Sequence, residues 1–358
     1  MPIRNGSQYI SGLRDGREVW YGGEKVADVT KFPQFEAAVR SIAELYDMQH
    51  EPDTRELLVC HSEEVGQEVG RAFQIPRTAD DLRLKREAYF AWAQANCGMV
   101  GRSPDFLNVM LAALAAKKSF FAEDSAERAN NVFEYYRFVA RNDLFMTHAL
   151  LDPQLDKGKL RNEQSDPAIC LQVVDENESG IVLSGIKRIA TAAPYADELL
   201  VWPFPPTFQR GEESYANVFA IPMNTKGLKT ICRPSFSNIG TTRDFPLSSR
   251  FDEMDATVVF EDVLVPWDRV FVYKNVSLLN RMYRDSRMRE LTAHQTNARV
   301  EAKLGFVYAV VQRLAEAQGM EGRPEIMEML GDAAVKIEVV RSTTRSAEYQ
   351  ATIDPENG

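Results

Sequence analysis

The sequence predicts an α+β fold, with a mainly helical domain over 1–144, an antiparallel β-domain over 145–275 and the start of a helical bundle over 276–358. Three observations carry this. Apolar residues recur at helical spacing through most of the first third. The middle turns to short alternating runs divided by Gly, Pro, Asn and Asp. From about residue 285 a long helical period returns.

In chain order, residues 17–28 alternate around Gly22-Gly23 and predict a β-hairpin, after which Pro33 introduces a helix through Phe35, Val39, Ile42 and Tyr46. Thr78 with Asp81 three residues on marks a second helix start, followed by Leu82, Tyr89, Trp92 and Ala95. A glycine-bearing hinge over 97–102 leads into a third helix, with Ser103 as N-cap, Pro104 in the first turn, and Phe106, Leu107, Met110, Leu111 and Leu114 keeping the period. A fourth, from about Ser125, carries Val132, Tyr136, Val139 and Ala140 and breaks at Asn142-Asp143. The strand runs are CLQVV, GIVLSGIKRIAT, ELLVWPF, NVFAIPM, LKTIC, ATVVF and RVFVY. Last come two long helices, one striped by Val300, Leu304, Val307, Val311 and Leu314 up to Gly319, the other opened by Pro324 and carrying Ile326, Leu330, Ala333, Ile337 and Val340. Two such helices cannot bury both apolar faces alone, and the chain reaches Gly358 without a third. A truncated or oligomer-completed bundle is expected.

Composition excludes several classes. A net charge of −10 argues against nucleic acid as the main partner. Four cysteines spaced far apart, with no C-x-x-C pair, fit free thiols in the cytoplasm, and no segment approaches the ~18 apolar residues of a membrane span. Neither a dinucleotide-binding G-x-G-x-x-G after a strand nor a P-loop occurs.

Arg102 is the residue on which the functional proposals converge. It stands at a helix start, where free backbone N–H groups and the helix dipole add to its charge, so the joint is either a seat for an anionic oxygen or a helix joint whose arginine pairs with an acidic neighbour. His148, in the apolar stretch Leu144–Leu150, is either a satisfied buried group or a catalyst. His294 lies roughly 120° around its helix from the Val300–Leu314 stripe, a position that suits a cleft wall.

Five stretches, NCGMVGRSPDF (96–106), NDLFMTHALLDPQ (142–154), KRIATAAPYADE (187–198), PLSSRFDEMDATVVFEDVLVPWDRVF (246–271) and the His294-Gln295 pair, occur in order, and with them the chain resembles the 4-hydroxyphenylacetate 3-hydroxylase family, oxygenase components of two-component flavin-dependent phenol monooxygenases. The resemblance implies an acyl-CoA dehydrogenase-like fold, usually tetrameric. It implies a phenol hydroxylase using O2 and diffusible reduced FAD, delivered by a separate NAD(P)H:flavin reductase, through a flavin C4a-hydroperoxide. The missing nicotinamide motif agrees. By position in the family, Arg102 would bind and polarise the phenolic oxygen and His148 would lie between that oxygen and the flavin. Gln154, Leu155, Asp156 and Lys157 would contact FAD, Thr191 would hydrogen-bond the isoalloxazine, and His294 would be the base that deprotonates the phenol. Phe106 stands where the 4-hydroxyphenylacetate enzymes carry a tyrosine; it can pack against a ring but cannot donate a hydrogen bond.

Three other readings compete. An iron–sulfur dehydratase of the same superfamily needs three cysteines and a histidine, and two of those positions are Gly101 and Glu301 here, which speaks against a metal cluster. An acyl-CoA dehydrogenase would reduce bound FAD with its own substrate. A non-catalytic homologue would keep the first two domains as a binding or assembly partner.

Overall fold

A computed structural model describes residues 3–204, 207–237 and 239–354. The first third holds α1 (Gly6–Gly12), the hairpin β1 (Glu18–Tyr21) and β2 (Glu24–Lys25), α2 (Glu36–Met48), α3 (Pro52–Leu58), a small ribbon of β3 (Val59–Ser62) and β4 (Gln67–Gly70), then α4 (Ala79–Ala95), α5 (Pro104–Ala116), α6 (Lys118–Ala122) and α7 (Ala126–Asn142). Local chemistry explains the boundaries. Thr78 and Asp81 form a reciprocal capping box at the start of α4 (Asp81 N to Thr78 Oγ1 3.0 Å, Thr78 N to Asp81 Oδ2 2.9 Å), and Asp143 ends α7 in the left-handed region at φ 49°.

Strands follow: β5 (Met146–Ala149), β6 (Gln172–Asn177), β7 (Gly180–Thr191), β8 (Glu198–Val201), β9 (Val218–Pro222) and β10 (Leu228–Cys232). After the short helix α8 (Ser248–Phe251) come β11 (Asp255–Pro266) and β12 (Val270–Val272). They build a six-stranded sheet in the order β2-β1-β10-β11-β7-β6 and a four-stranded sheet in the order β12-β9-β8-β5. The two meet face to face, with Phe219 edge-on to Phe260 at 6.1 Å inside the sandwich. Pairing is mainly antiparallel. Two pairs depart from the expectation, because β1 runs parallel to β10 and β5 parallel to β8. The N-terminal hairpin thus extends the central sheet, and a strand absent from the sequence reading, β5, carries His148 onto the second sheet. A four-residue strand buried on both faces shows no alternation to read.

The last elements are α9 (Val276–Asp285), α10 (Met288–Ala317) and α11 (Pro324–Gln350). The face of α10 that packs inward is small and polar, namely Thr292, Gln295, Ala298 and Ala302. The apolar stripe that defined this helix in the sequence is turned outward, with Val307, Val311 and Leu314 exposed, as are Met327, Val335 and Val339 of α11. Residues 355–358, on which the absence of a third helix partly rested, lie outside the described residues. Among the described residues no helix is long and apolar enough to cross a membrane, and all four cysteines are free.

Candidate active site

The hinge between α4 and α5 is a backbone device. Cys97 (φ 56°) and Gly98 (φ 67°) turn the chain in the left-handed region, and a Cβ on Gly98 would lie 2.6 Å from Cβ of Lys303, so only glycine lets α10 approach this closely. The turn delivers Arg102 to the mouth of the β-domain. There its backbone N–H donates to Glu253 Oε1 at 2.5 Å. The start of α5 holds an acid of its own, for Ser103 Oγ donates to Asp105 Oδ1 (2.5 Å) and Gln295 Nε2 to Asp105 Oδ2 (3.1 Å). This corrects the expectation that free N–H groups behind Arg102 would help seat an anion: the arginine's own N–H is already engaged, and what the joint presents is the guanidinium.

That guanidinium is held on three sides. Nε donates to His148 Nε2 at 3.0 Å, Nη1 donates to the Gly101 carbonyl at 3.2 Å, and Cζ lies 4.3 Å over the ring of Phe106. Among the described residues no group accepts from Nη2. His148 is buried between Phe106 and Trp202, edge-on at 6.2 and 5.4 Å. Burial pushes its pKa down to about 3, with the charge of Arg102 acting in the same direction, so the imidazole is neutral at neutral pH. Because Nε2 accepts from Arg102, the ring proton sits on Nδ1, a buried atom with no partner among the described residues. Among the described residues, Arg102 Nη2 and His148 Nδ1 thus have no acceptor, and the imidazole ring lies between Nδ1 and the guanidinium.

Beside them, Arg102, Thr191, Arg233, Glu253 and Asp255 line a polar cleft of about 380 Å³. Register places Thr191, the last residue of β7, opposite Asp255, the first of β11. Thr191 Oγ1 donates to Asp255 Oδ1 at 2.6 Å, and Arg233 Nε meets Asp255 Oδ2 at 3.3 Å while its Nη2 holds Asp252 Oδ1 and the Glu253 carbonyl, both at 2.7 Å. On the other side of Thr191, the hydroxyl of Thr147, next to His148, donates to the Thr191 carbonyl. Burial raises the Glu253 pKa against the pull of the two backbone N–H groups and of Arg102.

Gln154, Leu155, Asp156 and Lys157 lie on the loop that leaves β5, with Gln154, Leu155 and Lys157 exposed. The loop is closed by Gln164 Oε1, which accepts from the N–H groups of Leu155 (3.0 Å) and Asp156 (2.9 Å). Its root is pinned by buried ions: Lys187 Nζ to Asp152 Oδ1 (2.6 Å), and Arg161 to Asp152 (2.7 Å) and Glu212 (3.3 Å).

His294 is not brought to this cluster. Its Nε2 lies 2.8 Å from Glu348 Oε1 of α11, an oxygen that also receives Arg86 Nε at 2.7 Å, and its ring stands edge-on to Tyr89. It does line a cleft, as expected, but a different one, of about 750 Å³ between α4, α5, α10 and α11. The reason is helical rotation: Gln295, one residue and 100° further round α10, faces Asp105 in α5, and that turn aims His294 at α4 and α11. Among the described residues His294 makes no contact with Arg102 or His148.

Residues 5–272 match the family model described as 4-hydroxyphenylacetate 3-hydroxylase N terminal. The chain belongs to the 4-hydroxyphenylacetate 3-hydroxylase family. It is 42% identical over 350 residues to the 4-hydroxyphenylacetate 3-monooxygenase oxygenase component of Thermus thermophilus, an alignment covering 97% of this chain and 71% of that protein. It is 34% identical to a 4-nitrophenol 2-monooxygenase oxygenase component of a Rhodococcus species, over 91% of this chain and 62% of that one. Among solved structures it is similar to the oxygenase component of 4-hydroxyphenylacetate 3-monooxygenase complexed with FAD and 4-hydroxyphenylacetate, with a TM-score of 0.93, 40% identity, and coverage of 99% of this chain and 73% of that one.

Within this family frame, the sequence reading missed Glu253, Asp255 and Arg233. The first two lie inside the quoted stretch 246–271, where two acids interrupt an approaching strand, and that interruption was the available signal. Nothing local could pair Asp255 with Thr191, because the pairing is a register across 64 residues.

Proposed function

We propose that this chain is the oxygenase component of a two-component phenol hydroxylase that consumes O2 and reduced FAD. The observation that carries the reading is the Arg102–His148 pair, a fixed cation that lines the Thr191 cleft with Nη2 open among the described residues, held in place by a neutral imidazole.

The residues fit the flavin. The Thr191 hydroxyl, the guanidinium groups of Arg102 and Arg233 and the carboxylates of Glu253 and Asp255 line a polar cleft, and an isoalloxazine carries complementary carbonyl and ring-nitrogen acceptors together with N–H donors. Thr191 would hold the ring, and Gln154, Leu155, Asp156 and Lys157 the remainder of FAD. When bound, the reduced flavin supplies the activated oxygen. Arg102 Nη2 binds the phenolic oxygen and stabilises negative charge on it, which favours ionisation of a phenol whose ordinary pKa is ~10. His148 holds the guanidinium through Nε2 and so positions Nη2 for that oxygen, while its own Nδ1–H is on the far side of the ring; with a pKa near 3 it is neutral and not a base. Phe106 closes one wall and keeps Arg102 over its face.

Phe106 offers no hydroxyl, so the preferred phenol is one whose oxygen is satisfied by Arg102 without a second hydroxyl donor. A separate NAD(P)H:flavin reductase, cytoplasmic location and a homotetramer complete the proposal. The outward apolar stripes of α10 and α11 support assembly, since such faces are stable only when covered. The decisive test mixes the protein with anaerobically reduced FAD and a panel of phenols, then admits oxygen. Formation of a catechol or quinone is expected. Flavin reoxidation at the protein-free rate with every phenol recovered would overturn the reading.

A further inference from the structure

The Thr191–Asp255 contact has a polarity that bears on which redox state of the flavin the cleft accepts. A carboxylate only accepts hydrogen bonds, so at 2.6 Å the shared proton is the threonine's. Asp255 cannot turn away easily. Its other oxygen faces Arg233 Nε, and that guanidinium is anchored in turn on Asp252 and the Glu253 carbonyl. The Thr191 backbone is held opposite, as the register partner of Asp255 at the sheet end and by the Thr147 hydroxyl that donates to its carbonyl. With its proton committed, Thr191 Oγ1 has only lone pairs to offer the cleft it lines.

We propose that Asp255, by holding the Thr191 hydroxyl proton, makes Thr191 an obligate hydrogen-bond acceptor and thereby selects reduced over oxidised flavin. The inference rests on the reading that Thr191 meets the isoalloxazine ring. The central ring nitrogen N5 is an acceptor in oxidised flavin and carries N–H in reduced flavin, so an acceptor-only hydroxyl pairs with the reduced form and opposes the oxidised form lone pair to lone pair. For an enzyme that takes its flavin by diffusion, this contact favours loading of the useful form and release of the spent one. Asp255 acts through Thr191 and is a positioning residue.

The test is binding. The full chain is titrated anaerobically with oxidised FAD and with dithionite-reduced FAD, and the ratio of the two dissociation constants is read for the wild type, Asp255→Asn, Thr191→Val and Thr191→Ser. In Asp255→Asn the new amide keeps its oxygen towards Arg233 and turns its NH2 to Thr191, which frees the hydroxyl to donate. The preference for reduced FAD should fall about tenfold, chiefly through tighter binding of oxidised FAD. Loss of a negative charge would by itself favour the more anionic reduced form, so simple electrostatics predicts the opposite sign. Thr191→Val should also lower the preference, and Thr191→Ser should retain it. An Asp255→Asn protein that binds both forms with the wild-type ratio would overturn the proposal and leave the flavin reading standing. A wild type that binds neither form would remove the flavin reading, and this proposal with it.

Discussion

Replacing Arg102 by alanine is the sharpest test of the proposed chemistry, because the side chain has separable tasks. Its open Nη2 would make a charge-assisted hydrogen bond to the phenolic oxygen, an interaction on the order of 2–3 kcal/mol, so kcat/KM for the phenol should fall by tens to hundreds of fold at saturating reduced FAD. The same change strips His148 Nε2 of its donor inside an apolar wall, costing about 1–3 kcal/mol of stability. It also removes the positive charge that lowers the His148 pKa. Burial is the larger cause, so the value should rise from about 3 yet stay below that of an exposed histidine. Arg102→Lys separates the tasks, since an ammonium keeps the charge but cannot reach His148 and the phenol together as a planar fork does. Product yield and phenol binding are followed in both variants, with the His148 titration read by NMR. Wild-type kinetics in Arg102→Ala would show that the residue is only a helix joint.

Three further outcomes are expected. Phe106→Tyr places a hydroxyl beside the guanidinium now 4.3 Å from the ring and should raise relative turnover of 4-hydroxyphenylacetate, as measured in competition between two phenols; unchanged selectivity would place the phenolic oxygen elsewhere. His148, with a folded pKa near 3 against ~6.5 unfolded, favours the fold when neutral, so its contribution is intact above about pH 6.5 and is lost as pH falls towards 3, by on the order of 4–5 kcal/mol. Urea midpoints from pH 7 to 4 should therefore drop less steeply in His148→Gln than in the wild type, and parallel curves would contradict the buried neutral ring. His294→Ala should leave phenol turnover at neutral pH unchanged while lowering the melting temperature through loss of the Glu348 contact; uncoupled turnover rescued at high pH would restore its role as base.

The sequence by itself determined the elements and their order. The Thr78–Asp81 box, the Pro104 start of α5 and the break at Asn142-Asp143 are local chemistry, encoded within a few residues, and so are the alternating runs that became β6 through β12. Its motifs also located Arg102, Phe106 and His148, which the fold brings into contact. Tertiary structure decided what those residues touch. Whether the N–H groups of the α5 joint stay free depended on Glu253, 151 residues away, and whether Thr191 donates or accepts depended on Asp255 in a neighbouring strand. The rotation of α10 about its axis, set by Gln295 packing on Asp105, sent His294 to Glu348 and turned the valine stripe outward. Periodicity states that a helix has an apolar side, but which side meets a neighbour is settled by packing between elements distant in sequence, and that is where hydrogen-bond partners and charge states are assigned.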